Sequence, residues 1–412
     1  MKRLLALAAA LCLGVVTACG SGGSGESGSD SGSVTMWIYP VVPDQAKHQA
    51  FWDQQIADFK KVNPNIDVKV EIFPWPQRDQ KLQTAIAAGK GPDVVYLIPD
   101  QLPKYAKNLE PADSYLSDQD KADYLDNAKA AVTYDGKMLG APILTSTRPL
   151  VCDRKAFQAI GETSYPKTWD DLLALAPRFK AKGIDATNYF ASPDATLNES
   201  FYPLLWQAGG DTFSPDGKSV AFDTEAGVKA LEFLKRLVDG GYVEKDLLSS
   251  IPNLEQTHIA QHKVACTWQQ APADVESFWG KENVVVLPPL TEAKSVGYGT
   301  VGSLSILSAA KSKAAAGKWV AFASQPNVAK QYDLAANLFS PRKSTGQLYP
   351  NDPVQSAMEK TVTLTTVGTL NAKSRDVMAV LAPEIQATLL GKKSPQDALS
   401  SAADQAKGLL GQ

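Results

Sequence analysis

The stretch Ala85-Ile86-Ala87-Ala88-Gly89-Lys90-Gly91-Pro92-Asp93-Val94-Val95-Tyr96-Leu97 decides the fold of this chain. Leu82, Ala85 and Ile86 fall on one face of a helix running from Arg78 to Ala88. Gly89 and Gly91 end it, because glycine accepts the left-handed turn that closes many helices. Val94 to Leu97 follows as a short apolar run, the pattern of a buried strand. Upstream, Asp67 to Phe73 alternates as a strand, and Phe51, Ile56, Phe59 and Val62 recur at near-helical spacing before Asn63-Pro64-Asn65 stops the helix. Val34 to Ile38 is a further strand. The series is β-α-β-α-β with short links, which the right-handed crossover rule folds into a parallel sheet covered by helices, an α/β fold.

In such sheets ligands bind beyond the carboxyl ends of the strands. The three loops there carry Tyr39-Pro40, Pro74-Trp75-Pro76 and Pro99-Asp100-Gln101. Proline stiffens each loop while aromatic and polar side chains are presented, a combination suited to a preformed pocket, although Tyr39 and Trp75 could equally cover the sheet end.

The remaining chain repeats the α/β alternation. Tyr134-Asp135-Gly136-Lys137 reads as a hairpin turn, and the chain runs extended through Arg148 to Cys152. Thr168 is placed to cap a helix from Trp169 to Lys182, with Asp170 and Asp171 in its first turn, where negative charge suits the helix dipole. Asn198 to Gln207 reads as helix, with Tyr202 and Trp206 four apart on one face. Ala226 to Val238 is strongly amphipathic, Val264 to Trp268, Val284 to Leu287 and Ser303 to Leu307 read as strands, and helices are expected at Ala314 to Phe322 and from Pro395.

Catalytic constellations are scarce. There is no P-loop and no G-x-S-x-G elbow. His258 and His262, four apart, could share a helix face, but with no further ligand nearby they read as solvated rather than metal-binding. Gly297-Tyr298-Gly299-Thr300-Val301-Gly302 matches G-x-G-x-x-G, yet it enters a strand rather than a helix, which excludes the dinucleotide reading. No pair among the carboxylates stands out for glycoside hydrolysis. Trp37, Trp75, Trp206 and Trp268 fall near element ends in both halves, with Asp, Asn, Gln and Arg interspersed. Aromatic faces stack on sugar rings and such polar groups serve hydroxyls, so the pattern leans to carbohydrate.

At the amino end, an apolar run from Leu4 to Val16 follows Lys2 and Arg3 and closes on Val16-Thr17-Ala18-Cys19. This has the layout of a secretory signal, residues 1–18, and is too short to span a bilayer. A cysteine directly after the small residue resembles the bacterial lipobox, which implies cleavage before Cys19 and lipidation of its thiol. From Gly20 to Ser33 every residue is Gly or Ser except Glu26 and Asp30, a flexible tether within residues 19–32 and just beyond. The 394 residues after the signal suit two domains. Their formal charge is −5 against −3 for the 412-residue chain, without a basic run, which argues against nucleic acid and against docking on anionic lipid. Cys152 and Cys266 remain in the folded part, as a disulfide or as two buried thiols.

Several segments together resemble the extracellular solute-binding proteins of ABC importers, in the carbohydrate-binding cluster that includes the maltose-binding protein. They are Phe59 to Val68, Ala85 to Val94, Thr168-Trp169-Asp170-Asp171-Leu172, Leu205 to Asp211 and Phe339 to Ser344. The resemblance implies two α/β lobes around a ligand cleft, lobe 1 at 33–145 plus 303–351 and lobe 2 at 146–302 plus 352–412. Thr145 to Pro149 and Tyr298 to Gly302 would be hinge strands, with glycines absorbing rotation. It implies ligand residues Asp100 and Gln101 after the third strand and Tyr202, with Glu199 nearby, as an aromatic platform. The residues themselves add Tyr39 and Trp75 from the strand-end loops, Arg148 at the crossing, where a salt bridge between lobes is the equal alternative, Trp206 and Trp268 from the aromatic pattern, and Arg342. Gln101 and the uncharged first loop depart from the maltose-binding pattern. The expected function is capture of a mono- or oligosaccharide and its delivery to a membrane permease, by a monomer without cofactor or metal, lipid-anchored outside a single-membrane bacterial cell. The alternatives are a binder of a polyamine, peptide or iron chelate, and a lipid-anchored glycoside hydrolase.

Overall fold

The computed structural model describes residues 31–411. The signal segment, Cys19 and the tether up to Asp30 lie outside the described residues. Two sheets with separate cores make up two lobes. The first has the strand order Ile66–Ile72, Gly32–Ile38, Val94–Leu97, Val301–Leu307, Leu109–Glu110, and Ala141–Thr145 also pairs with Val301–Leu307. The first three strands are parallel, with Val34 opposite Val68 and Met36 opposite Val94, as the β-α-β-α-β reading requires. Val301–Leu307 runs antiparallel to its neighbours. The second sheet has the order Val284–Leu287, Leu150–Asp153, Val264–Thr267, Asp185–Thr187.

The helices that cover these sheets form where apolar spacing and caps coincide. Gln45–Val62 begins at Asp44, whose carboxylate accepts from the Lys47 amide, and buries Trp52 and Phe59 on the first sheet. Trp169–Lys180 starts with a full capping box of Thr168 and Asp171. Glu225–Asp239 buries Leu231, Leu234 and Leu237, each contributing roughly 1.5–3 kcal/mol of transfer free energy. The helix expected from Asn198 begins only at Tyr202, because Pro203 has no amide to donate and fits a first turn alone. Pro326–Ala336, Pro353–Glu359 and Ser374–Leu389 are helices that the sequence pattern did not reveal. Among the described residues, no helix is long and apolar enough to cross a membrane.

Cys152 and Cys266 face each other on adjacent antiparallel strands, are fully buried, and form a disulfide. The chain passes between the sheets along strands bonded side by side: the Ser146 amide donates to Thr300 O at 2.9 Å, the Arg148 amide to Tyr298 O at 2.7 Å, and the Thr145 amide to Phe339 O at 2.8 Å. The glycines here answer to crowding. A Cβ on Gly299 would lie 2.3 Å from Ser146 O, and one on Gly302 would lie 2.2 Å from the Tyr96 hydroxyl.

Candidate functional site

The strand ends of the first sheet face the second lobe, and a cavity of about 80 Å³ lies between them. Ile98 to Asp100 line it from the first sheet, Asn198, Tyr202, Thr212 and Phe213 from the second lobe, and Tyr298 and Thr300 from the crossing. Thr369, Leu370, Ser374, Arg375 and Met378 close the remaining side. A ligand pocket usually spans roughly 300–1,000 Å³, so this cavity is small for one.

Just after the strands Gly32–Ile38 and Ile66–Ile72 the Tyr39 and Trp75 rings stack, with centroids 5.2 Å apart and planes at 24°. The indole N–H donates to Pro40 O at 3.2 Å, and the Arg78 guanidinium lies 4.9 Å over the indole. Tyr39 is buried, which pushes its phenol up to about 12, whereas Trp75 keeps 38 % of its surface exposed. An exposed, rigidly held indole is available to stack on a ring.

Asp100 accepts from Arg375 Nε at 2.8 Å and from another guanidinium nitrogen at 2.6 Å, both on Oδ2. Its Oδ1 is buried and has no partner. On the opposite wall the Tyr202 hydroxyl is likewise buried and unpartnered, and burial pushes its phenol well above the ordinary value. Tyr298, also on the cavity wall, is pushed up to about 12, mainly by burial, with Glu199 and Asp100 adding to the shift. Orphaned buried polar groups cost about 1–3 kcal/mol each, so two facing one cavity mark a place where a polyhydroxylated guest would recover that cost.

The other candidates lie differently. Gln101 is turned away from the cavity: its carbonyl oxygen accepts from the Ile98 amide at 3.1 Å and its amide donates to Asp79. Arg148 is held by Glu199 at 3.1 Å and Asp274 at 3.3 Å. Trp206 and Trp268 are core residues whose N–H groups are taken by Asp211 at 3.3 Å and by Ser200 O at 3.0 Å. Arg342 is inside the first lobe, not in the cleft. Its guanidinium stacks 4.0 Å from the Tyr124 ring centroid, donates to Tyr124 Oη at 3.0 Å and Asp120 O at 3.1 Å, and its side chain is 0 % exposed. The Phe339 to Ser344 turn therefore buries its cation, a candidate ligand contact from the sequence, inside the lobe.

His258 and His262 do not share a helix face. The segment His258–Gln261 is a single 3-10 turn and His262 is left-handed, at φ 54°. His258 pairs with Asp185 at 2.6 Å while its amide donates to Glu244 at 2.8 Å, and His262 pairs with Asp153 at 2.6 Å. Asp185, Glu244 and His258 are near enough to hold a cation, but they already satisfy one another. Arg375, on the cavity wall, and its partner Asp79 are not among the candidates drawn from the sequence. Arg375 pairs with residues 275 and 296 positions away, and no local pattern announces that.

A family model for bacterial extracellular solute-binding proteins matches residues 43–330. A binding protein of Brucella abortus (strain 2308) is 23% identical over 393 residues, spanning 93% of this chain and 95% of its own. The diacetylchitobiose binding protein of Streptomyces coelicolor is 30% identical over 234 residues, 53% of this chain and 51% of its own. Among solved structures, the cyclic alpha-maltosyl-1,6-maltose binding protein from Arthrobacter globiformis superposes with a TM-score of 0.79 at 18% identity, covering 92% of this chain and 99% of that one. With two lobes, a cleft between them and a family match over more than half its length, the chain belongs to the bacterial extracellular solute-binding proteins.

Proposed function

We propose that this protein captures a mono- or oligosaccharide between its lobes and delivers it to the permease of an ABC importer. The observation that carries this reading is the pair of unpartnered buried groups on residues lining one cavity, Asp100 Oδ1 from the first lobe and Tyr202 Oη from the second, with the exposed indole of Trp75 on another strand-end loop of the first sheet. A carboxylate oxygen accepts from a hydroxyl, a phenol both donates and accepts, and an indole face covers the apolar side of a sugar ring. The diacetylchitobiose and cyclic maltosyl-maltose binders are relatives whose guests have this chemistry. The protein acts by binding alone. The lobes are taken as 33–145 plus 303–351 and 146–302 plus 352–412, and the folded body as a monomer held outside the cell membrane by lipid on Cys19.

A thermal-shift screen over mono- and oligosaccharides, polyamines, peptides and iron chelates tests this, because a guest that binds only the folded form raises its melting point. At least one sugar is expected to raise Tm, and Trp75→Ala with Asp100→Asn is expected to abolish that shift. If only an amine, peptide or chelate stabilises the protein, the sugar reading fails. Release of reducing ends from oligosaccharide at micromolar protein would instead make it a hydrolase.

A further inference from the structure

Arg375 stands in the first turn of Ser374–Leu389, a helix whose Val377, Leu381 and Ile385 are buried in the core of the second lobe. Its guanidinium reaches across to two carboxylates of the first lobe. Two of its nitrogens hold Asp100 Oδ2, at 2.8 and 2.6 Å, and a third reaches Asp79 Oδ2 at 3.0 Å. Asp100 follows the strand Val94–Leu97, and Asp79 lies in the first turn of the helix Arg78–Ala87, where its other oxygen accepts from Gln101. Asp79 is thus held from within its own lobe, and a single residue of the other lobe spans both carboxylates.

We propose that Arg375 is a latch across the cleft. It gives the ligand-free protein a closed population, and closure turns Asp100 so that Oδ1 faces the cavity as a waiting acceptor. The second part rests on the reading of this cleft as the ligand site; the first does not.

The physical case has three parts. A planar guanidinium sharing its donors between two carboxylates fixes orientation as well as distance, which an ammonium would not do. Without it, two carboxylates of like charge remain at the mouth of the cleft and repel whatever anion the other lobe brings near. The side chains are 55%, 23% and 24% exposed, so solvent reaches the pair and salt screens it. The latch is therefore weak enough to open and admit a guest to a cavity of about 80 Å³, and strong enough to bias the lobes once they meet. Arg375 is a positioning residue: it acts on a guest through Asp100.

The test needs no ligand. Spin labels placed on the two lobes of the full chain report the interlobe distance distribution by pulsed dipolar spectroscopy, in about 0.01 M and about 0.5 M salt. The parent protein is expected to show a closed population that shrinks by several-fold at high salt. Arg375→Gln is expected to lose it at both salt concentrations, Arg375→Lys to retain part of it with its salt response, and Asp79→Asn to lie between Arg375→Gln and the parent. Circular dichroism and Tm identify any variant that fails to fold, for which Arg375→Lys and Asp79→Asn substitute. An Arg375→Gln distribution equal to the parent's at both salts overturns the latch and leaves the sugar reading standing. A screen with no sugar hit, beside an opened Arg375→Gln, overturns the sugar reading and leaves the latch.

Discussion

At the scale of single residues, His48 shows what burial does to a group that sequence leaves unremarked. It is 0 % exposed on the helix Gln45–Val62. The Trp52 indole donates to its Nε2 at 3.1 Å, and since an indole can only donate, that nitrogen is the acceptor; the Tyr332 hydroxyl lies at 3.1 Å from the same atom. Burial brings the imidazole down to about 4. Above about pH 6.5 both the folded and unfolded forms are neutral and stability is unaffected. As pH falls from 6.5 to 4 the unfolded chain takes a proton that the folded one refuses, so stability is lost across that window, by up to roughly 3 kcal/mol. Urea unfolding at pH 7 and pH 4.5 checks this: His48→Gln is expected to show a smaller loss between the two pH values than the parent. Equal losses would mean that His48 contributes nothing to the acid sensitivity.

At the scale of elements, the Cys152–Cys266 bridge joins neighbouring strands across a sequence separation of 114. In the chain-entropy account, closing a loop of that length removes disorder from the unfolded state worth roughly 4–5 kcal/mol. Cys152→Ala with Cys266→Ala is expected to lower the urea midpoint of the second lobe by an amount corresponding to about 2–5 kcal/mol, leaving the first lobe's transition in place. A single unchanged transition would remove the bridge from the stability of the fold. The bridge also shows where sequence reading stops. Both cysteines fall in apolar strand-like runs, which places them in a sheet but not opposite each other; register is a property of pairing, and pairing joins distant segments. The same limit divides the site. The positions of Tyr39, Trp75 and Asp100 at strand ends are legible because each follows a strand whose direction the β-α-β series fixes. Trp206, Trp268 and Arg342 were misjudged because residue type cannot tell a ring or cation facing a cleft from one facing the core beside it. Arg375 was invisible for the converse reason: it sits in a helix with an unremarkable first turn, and its meaning comes from two carboxylates in the other lobe.

At the scale of the whole molecule, the folded body and the segment before it pose separate questions. If Cys19 carries lipid, the Gly/Ser stretch holds a binder near its membrane while the lobes move freely. Cys19→Ala is expected to shift the protein from the membrane fraction to the medium without altering the Tm of the folded body. Retention of that variant on membranes would argue against the anchor. The sheet order has another outcome, one that concerns how the chain is made. Val301–Leu307 lies between Val94–Leu97 and Leu109–Glu110, and Ser303 Oγ donates to Leu97 O across 206 positions. The other core is completed by Val377 to Ala406. A ribosome therefore emits some 300 residues before the first sheet has its inner strand, and nearly the entire chain before the second core is filled. Both halves mature late and almost together, so the growing polypeptide spends most of its synthesis with open sheet edges and uncovered apolar faces, dependent on its surroundings to keep it from aggregating.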